Sequence, residues 1–164
     1  MLIGPRRAVL IGAIAAVAIT IILIPVIFTL NAPDFTKIDV RFSNVTISEP
    51  TQQNMQVHTV FVISNPTDVT ITTSKIDYEL FADGQSLGTF TKSYEDVPLN
   101  GRPAIFSQQS VPISDDFTLS YDDKNASIYN KIKDNPGSVT WRASGTAQIE
   151  STLTIASKDF NNGL

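Results

Sequence analysis

Few residues in this chain have the type and spacing to do chemistry. His58 is its one histidine and there is no cysteine. A Ser-His-Asp or His-activated nucleophile would therefore have to be built on His58. That residue sits inside Val57-His58-Thr59 with no partner fixed by spacing, so no catalytic residue is assigned. Lack of cysteine also removes disulfides, thiolate catalysis and the common structural zinc sites. Asp115, Asp116, Asp122 and Asp123 carry oxygens that suit a hard cation such as calcium, but EF-hand spacing is absent. No metal or cofactor is assigned. Asn44-Val45-Thr46 and Asn125-Ala126-Ser127 match the N-glycosylation tripeptide, which makes Asn44 and Asn125 candidate modification sites in an exported domain. Asn65-Pro66-Thr67 is excluded by its proline. Asn65-Pro66 reads as a strand terminator, because Asn satisfies local backbone and Pro cannot continue a ladder.

The elements that must carry these residues begin with an anchor. Ala8 to Leu30 contains no charge, and a helix of about 20 apolar residues spans a bilayer core. In lipid such a run must be helical, since nothing else satisfies its backbone. Pro25 is expected to kink the last turns. Arg6 and Arg7 precede the run and should stay cytoplasmic, which sends the C-terminal domain outward. A cleaved signal peptide is the competing reading. It calls for a shorter apolar core and a small-x-small site, and Leu30-Asn31-Ala32 fits that poorly. The expected organisation is a cytoplasmic segment 1–7, a transmembrane helix 8–30, a linker 31–37, a β-domain 38–160 and a tail 161–164. The expected location is a cell membrane, crossed once, with the lipid bilayer as the partner of the helix. Gly12 and Ala16 form a small-xxx-small pair of the kind that lets such helices pack closely, although both residues are common in spans.

After the anchor the chain holds ten basic residues against all sixteen acidic ones. An acidic domain without a basic stripe argues against nucleic-acid binding. Its pattern is of strands. Val40 to Ile47 is rich in β-branched residues. Gln56 to Ile63 is apolar on both faces, as in a strand buried on both sides. Thr70–Thr73, Ile76–Phe81 and Leu87–Tyr94 follow, with a hairpin signal at Asp83-Gly84. Ala104–Ile113, Val139–Ser151 and Thr152–Lys158 complete the strands. One stretch reads as helix. Phe117, Tyr121, Ile128 and Ile132 share a helical face, Ser114, Asp115 and Asp116 are N-cap candidates, and Asn135-Pro136-Gly137 is the stop. The fold class expected is mainly β, a single antiparallel β-sandwich with one inserted helix.

The order of several short motifs resembles the late-embryogenesis-abundant group-two family, the water-stress-and-hypersensitive-response domain. They are Phe42-Ser43-Asn44-Val45-Thr46-Ile47, Val60-Phe61-Val62-Ile63-Ser64-Asn65-Pro66, Ile76-Asp77-Tyr78-Glu79-Leu80-Phe81, Gly84-Gln85-Ser86-Leu87-Gly88 and Val97-Pro98-Leu99. The closing piece is Val139-Thr140-Trp141-Arg142-Ala143-Ser144-Gly145-Thr146-Ala147. The resemblance runs over roughly residues 38 to 160. It implies an immunoglobulin/fibronectin-III-like sandwich with no catalytic residues and a role in desiccation or stress tolerance. The leading expectation is a membrane-anchored, non-enzymatic protective domain. The alternatives are an extracytoplasmic module that binds an unidentified protein or ligand, and a structural subunit of an envelope assembly.

Overall fold

The computed structural model describes residues 5–30, 34–152 and 154–164. Part of the expected cytoplasmic segment and the linker residues 31–33 lie outside that set, as do the side chains of Arg6 and Arg7. Two compact units are present, Met1–Ala32 and Pro33–Leu164.

The first is a single helix, α1 (Pro5–Leu30), which runs on through Pro25. Its 26 residues extend about 39 Å at 1.5 Å per residue. Val9 to Ile27 is long and apolar enough to cross a membrane, and none of it is buried in the protein. The Thr20 hydroxyl donates to the Ala16 carbonyl at 2.8 Å, so the polar group within the span is satisfied on its own helix. A helix of this kind serves as a single-pass anchor or as a signal sequence.

The second unit is a β-sandwich. Its strands are β1 (Asp39–Ser48), β2 (Asn54–Asn65), β3 (Ile71–Ala82), β4 (Gln85–Ser93), β5 (Ala104–Ile105), β6 (Gln109–Ser120), β7 (Trp141–Glu150) and β8 (Ile155–Gly163), with helix α2 (Ala126–Asp134) between β6 and β7. One sheet has the order β1-β2-β6; the other has the order β4-β3-β7-β8, with β5 added on β3. Every pairing is antiparallel. The fold is thus the expected mainly-β, fibronectin-III-like sandwich with one inserted helix.

Alternation along the strands decides what is inside. In β2, Val57, Thr59, Phe61 and Ile63 are fully buried. His58, Val60 and Val62 are half-exposed. The expectation that this strand is buried on both faces is therefore corrected. Its sheet is covered on one side, so the second apolar row only half escapes water. Phe61 is the centre of an aromatic cluster, with ring centroids 5.7 Å from Phe42, 4.7 Å from Tyr78 and 5.5 Å from Phe160. Edge-to-face and tilted pairs of this kind add stabilisation beyond their buried area. Among the described residues no buried side-chain polar atom lacks a hydrogen-bond partner.

The two sheets are joined at both margins. At one, Asn162 of β8 reaches the other sheet: its Oδ1 accepts from Phe42 N at 2.9 Å and its Nδ2 donates to Val40 O at 3.4 Å. β1 is an edge strand, so Phe42 N and Val40 O point away from its ladder with β2 and are free to meet this amide. At the other margin Phe90 of β4 stacks on Phe117 of β6 with centroids 3.7 Å apart.

Several boundaries differ from those expected. Thr70–Thr73 and Ile76–Phe81 are one strand, β3, interrupted by a register shift between Thr73 and Lys75. Ala104–Ile113 is two strands, parted by a turn in which Gln108 adopts a φ of 60°. β8 extends to Gly163, so residues 161–163 belong to the domain. The largest correction concerns the helix. Ser114–Ser120 is strand, and α2 begins only at Ala126. β2 offers twelve consecutive antiparallel partners, from Asn54↔Ser120 to Asn65↔Gln109, and this ladder outweighs the local helical spacing. Ser114, Asp115 and Asp116 are consequently not caps; Asn125 occupies the N-cap position. α2 buries Ile128, Tyr129 and Ile132, and each large side chain taken fully out of water contributes about 1.5–3 kcal/mol.

Candidate functional site

The acids that sequence grouped together are separated by the strand. Neighbouring residues of β6 point to opposite faces, so Asp115 turns inward and Asp116 outward. Asp116 Oδ1 lies 2.6 Å from His58 Nδ1, its direct partner across the β2–β6 ladder. Both side chains are well exposed. The arrangement is a cross-strand imidazole–carboxylate pair on an open sheet face. Asp122 and Asp123 lie beyond the strand, in an open groove of about 620 Å³ lined also by Leu87, Phe90 and Tyr121. Asp122 is occupied locally, accepting from Lys124 N at 3.1 Å. Among the described residues no three His, Asp or Glu side chains gather where one cation could sit.

Asp115 belongs to a buried cluster that sequence reasoning did not find. Tyr78 OH donates to its Oδ2 at 2.9 Å, and Thr59 Oγ1 lies 3.1 Å from the Tyr78 oxygen while donating to the Asp115 carbonyl at 3.1 Å. Lys92 Nζ stands 3.8 Å from Asp115 Oδ1. Burial pushes the Tyr78 phenol well above its ordinary value; the hydrogen bond with Thr59 opposes this, and the Asp115 carboxylate beside it adds to the rise. Burial also raises Tyr129. A phenol whose folded value is raised holds its proton more tightly than in the unfolded chain. Its contribution is intact below about pH 10 and is lost as pH climbs through the folded value. Thermal scans from pH 8 to 11.5 should therefore show stability falling above about pH 10. Tyr78→Phe should be less stable than the parent at pH 8 and should lose less of its stability on going alkaline.

A second structural site is Arg102. Its Nε donates to Val97 O at 2.8 Å, Nη1 to Glu150 Oε2 at 2.6 Å and Nη2 to Glu95 O at 3.3 Å. Both partners of the ion pair are largely shielded, at 13% and 14% side-chain exposure. The guanidinium thus closes the long connection between β4 and β5 onto the end of β7. Arg102→Ala strips three acceptors and leaves Glu150 unpaired; we expect a loss of about 2–4 kcal/mol in chemical denaturation.

The sequons differ in access. Asn44 is exposed at the β1 bulge. Asn125 is half-buried, and its amide already donates to Ser120 O at 3.0 Å and accepts from Asp122 N at 2.8 Å. The Asn65-Pro66 step is structural in detail. Asn65 is 1% exposed, and its Nδ2 faces three carbonyls: Val69 at 2.8 Å, Ile105 at 3.0 Å and Phe106 at 3.2 Å. Its Oδ1 accepts from Thr67 N and Thr67 Oγ1.

No protein-family model matches the chain. No curated protein matches it either. Solved structures share its fold. The solution structure of AT1g01470 from Arabidopsis thaliana aligns with a TM-score of 0.50 at 10% identity, covering 76% of this chain and 80% of that one. A protein from Archaeoglobus fulgidus aligns at 0.44 with 10% identity, over 81% and 94% of the two chains. At2g46140.1, provisionally named a late embryogenesis abundant (LEA) protein, aligns at 0.34 with 13% identity, over 79% and 76%. Of these three, the match at 0.50 carries the fold, and at 10% identity it carries nothing beyond the fold.

Proposed function

We propose that this protein is a membrane-tethered, non-enzymatic protective domain of the late-embryogenesis-abundant group-two type. The observation that supports this reading best is where the family-like motifs fall. Asn65-Pro66 holds the β2–β3 loop through five hydrogen bonds. Asp83-Gly84 makes the β3–β4 hairpin, with φ of 50° and 82° as a type I′ turn requires. Gly145, from the closing motif, lets β7 lie against β3. These residues serve the scaffold, as they would in a domain whose work is done by its surface. That surface is polar: β4 exposes Gln85, Ser86, Thr89, Thr91 and Ser93. A hydrated, acidic body tethered outside the membrane keeps neighbouring proteins and lipids apart as water is lost.

The test uses Asp34–Leu164, which contains the whole sandwich. A labile reporter enzyme is dried with this fragment or with equal mass of an unrelated acidic β-sandwich. Better recovery with the fragment supports the reading. Equal recovery refutes direct protection.

A further inference from the structure

We propose that the loop end at which the chain enters the sandwich is a lipid-docking surface, which lays the domain onto a zwitterionic bilayer. The inference rests on the anchored reading above.

The register defines the two ends. Asp39 at the start of β1 pairs with Ser64, and Asn65 at the end of β2 pairs with Gln109 at the start of β6. In the second sheet Ile71 pairs with Ile105, and Glu150 with Ile155. The chain therefore enters the domain at the end built from the β2–β3, β4–β5, β5–β6 and β7–β8 connections. Charge at this end is confined to the entry segment and to Asp68, Glu95 and Asp96, while the rest of it bears exposed apolar side chains. Leu99 is 50% exposed, Phe106 55% and Ile155 66%. Pro66 and Pro98 are exposed beside them. From Val97 to Ser110 the one charged residue is Arg102, which turns inward onto Glu150, and residues 151–157 carry no charge. The opposite end exposes Tyr121 and Leu164, but among Asp83, Asp122, Asp123 and Lys124.

Tether length selects the occupant. Four peptide steps separate Leu30 from Asp34, a reach of at most about 14 Å. A bilayer-spanning α1 therefore delivers this end to the headgroup region, where large apolar side chains and uncharged polar loops are favoured. Electrostatic attraction is not the driving term. Asp68, Glu95 and Asp96 border the surface, and Lys37 and Arg41 are paired with Asp34 and Asp39. Docking should accordingly be stronger on phosphatidylcholine than on anionic lipid and should not weaken as salt is added.

The chain has no cysteine, so single labels are clean. The full chain carrying Leu99→Cys, Phe106→Cys or Ile155→Cys, and Asp123→Cys as the distal control, is labelled with an environment-sensitive dye and reconstituted into phosphatidylcholine vesicles. Flotation with the vesicles reads the anchor. A blue shift at the three apolar positions, with quenching by lipids bearing a shallow spin label and neither effect at the control, is the result expected. Three outcomes overturn the inference. Vesicle-bound chain with all labels in water refutes docking and leaves the anchored reading standing. Labels shielded from water yet untouched by the lipid quencher assign the surface to a protein partner or a second copy. Chain that fails to float refutes the anchored reading and the docking with it.

Discussion

Gly145→Ala is expected to cost about 3–5 kcal/mol, the upper range for one added methyl group. A Cβ at this position would stand 2.1 Å from the Asp77 carbonyl oxygen and 2.7 Å from Tyr78 Cα. Both are backbone atoms of β3, which is paired on one side with β4 and on the other with β7. Neither can move without shifting a ladder that also holds Ile76, Tyr78 and Leu80 in the core. The melting temperature should fall on the order of 10 °C or more. Gly101→Ala is the control. There the new methyl meets only Val97 Cγ1 at 3.0 Å, a side-chain methyl that need give by only a few tenths of an ångström. Its effect should lie within about 0.5 kcal/mol. Equal melting temperatures for the two variants would refute the close-approach argument.

What sequence could show here was local, and what it missed depended on register. The uncharged run from Ala8, the turn at Asp83-Gly84 and the terminator at Asn65-Pro66 are each decided within a few residues, and each was legible. The stretch from Ile113 to Ile132 was not. Ile113, Asp115, Phe117 and Leu119 fit a period of two, while Phe117, Tyr121, Ile128 and Ile132 fit a helix. β2, some sixty residues earlier, resolves the contest by pairing with the first part and leaving the second free to coil. The grouping of Asp115 with Asp116 falls with the same correction, since consecutive strand residues point to opposite faces. Asp115 gave no local sign of burial because its phenol partner lies on the other sheet, 37 residues away in the chain. Gly145 could be read as a family-like residue, but the reason for a glycine there is the β3 backbone opposite.

The second large effect is expected at Asn65. Its amide nitrogen donates into three converging carbonyls, and its oxygen accepts from Thr67. Asn65→Ala removes all five of these bonds, at a cost of about 2–4 kcal/mol. Asn65→Asp is nearly isosteric and still expected to be as harmful at neutral pH, because a carboxylate replaces the amide donor and faces Val69 O, Ile105 O and Phe106 O. The two variants part on acidification. Protonating the introduced carboxyl restores a single donor, so Asn65→Asp should regain part of its deficit between pH 7 and pH 4, and Asn65→Ala should not. The sign follows from linkage: the folded variant binds that proton more tightly than the unfolded chain, so stability rises as pH falls. Urea denaturation of both variants and the parent at pH 7 and pH 4 reads the difference directly, with the parent correcting for every other titrating group. If Asn65→Asp and Asn65→Ala track one another at both pH values, the amide donor is not what holds the β2–β3 loop against the turn between β5 and β6.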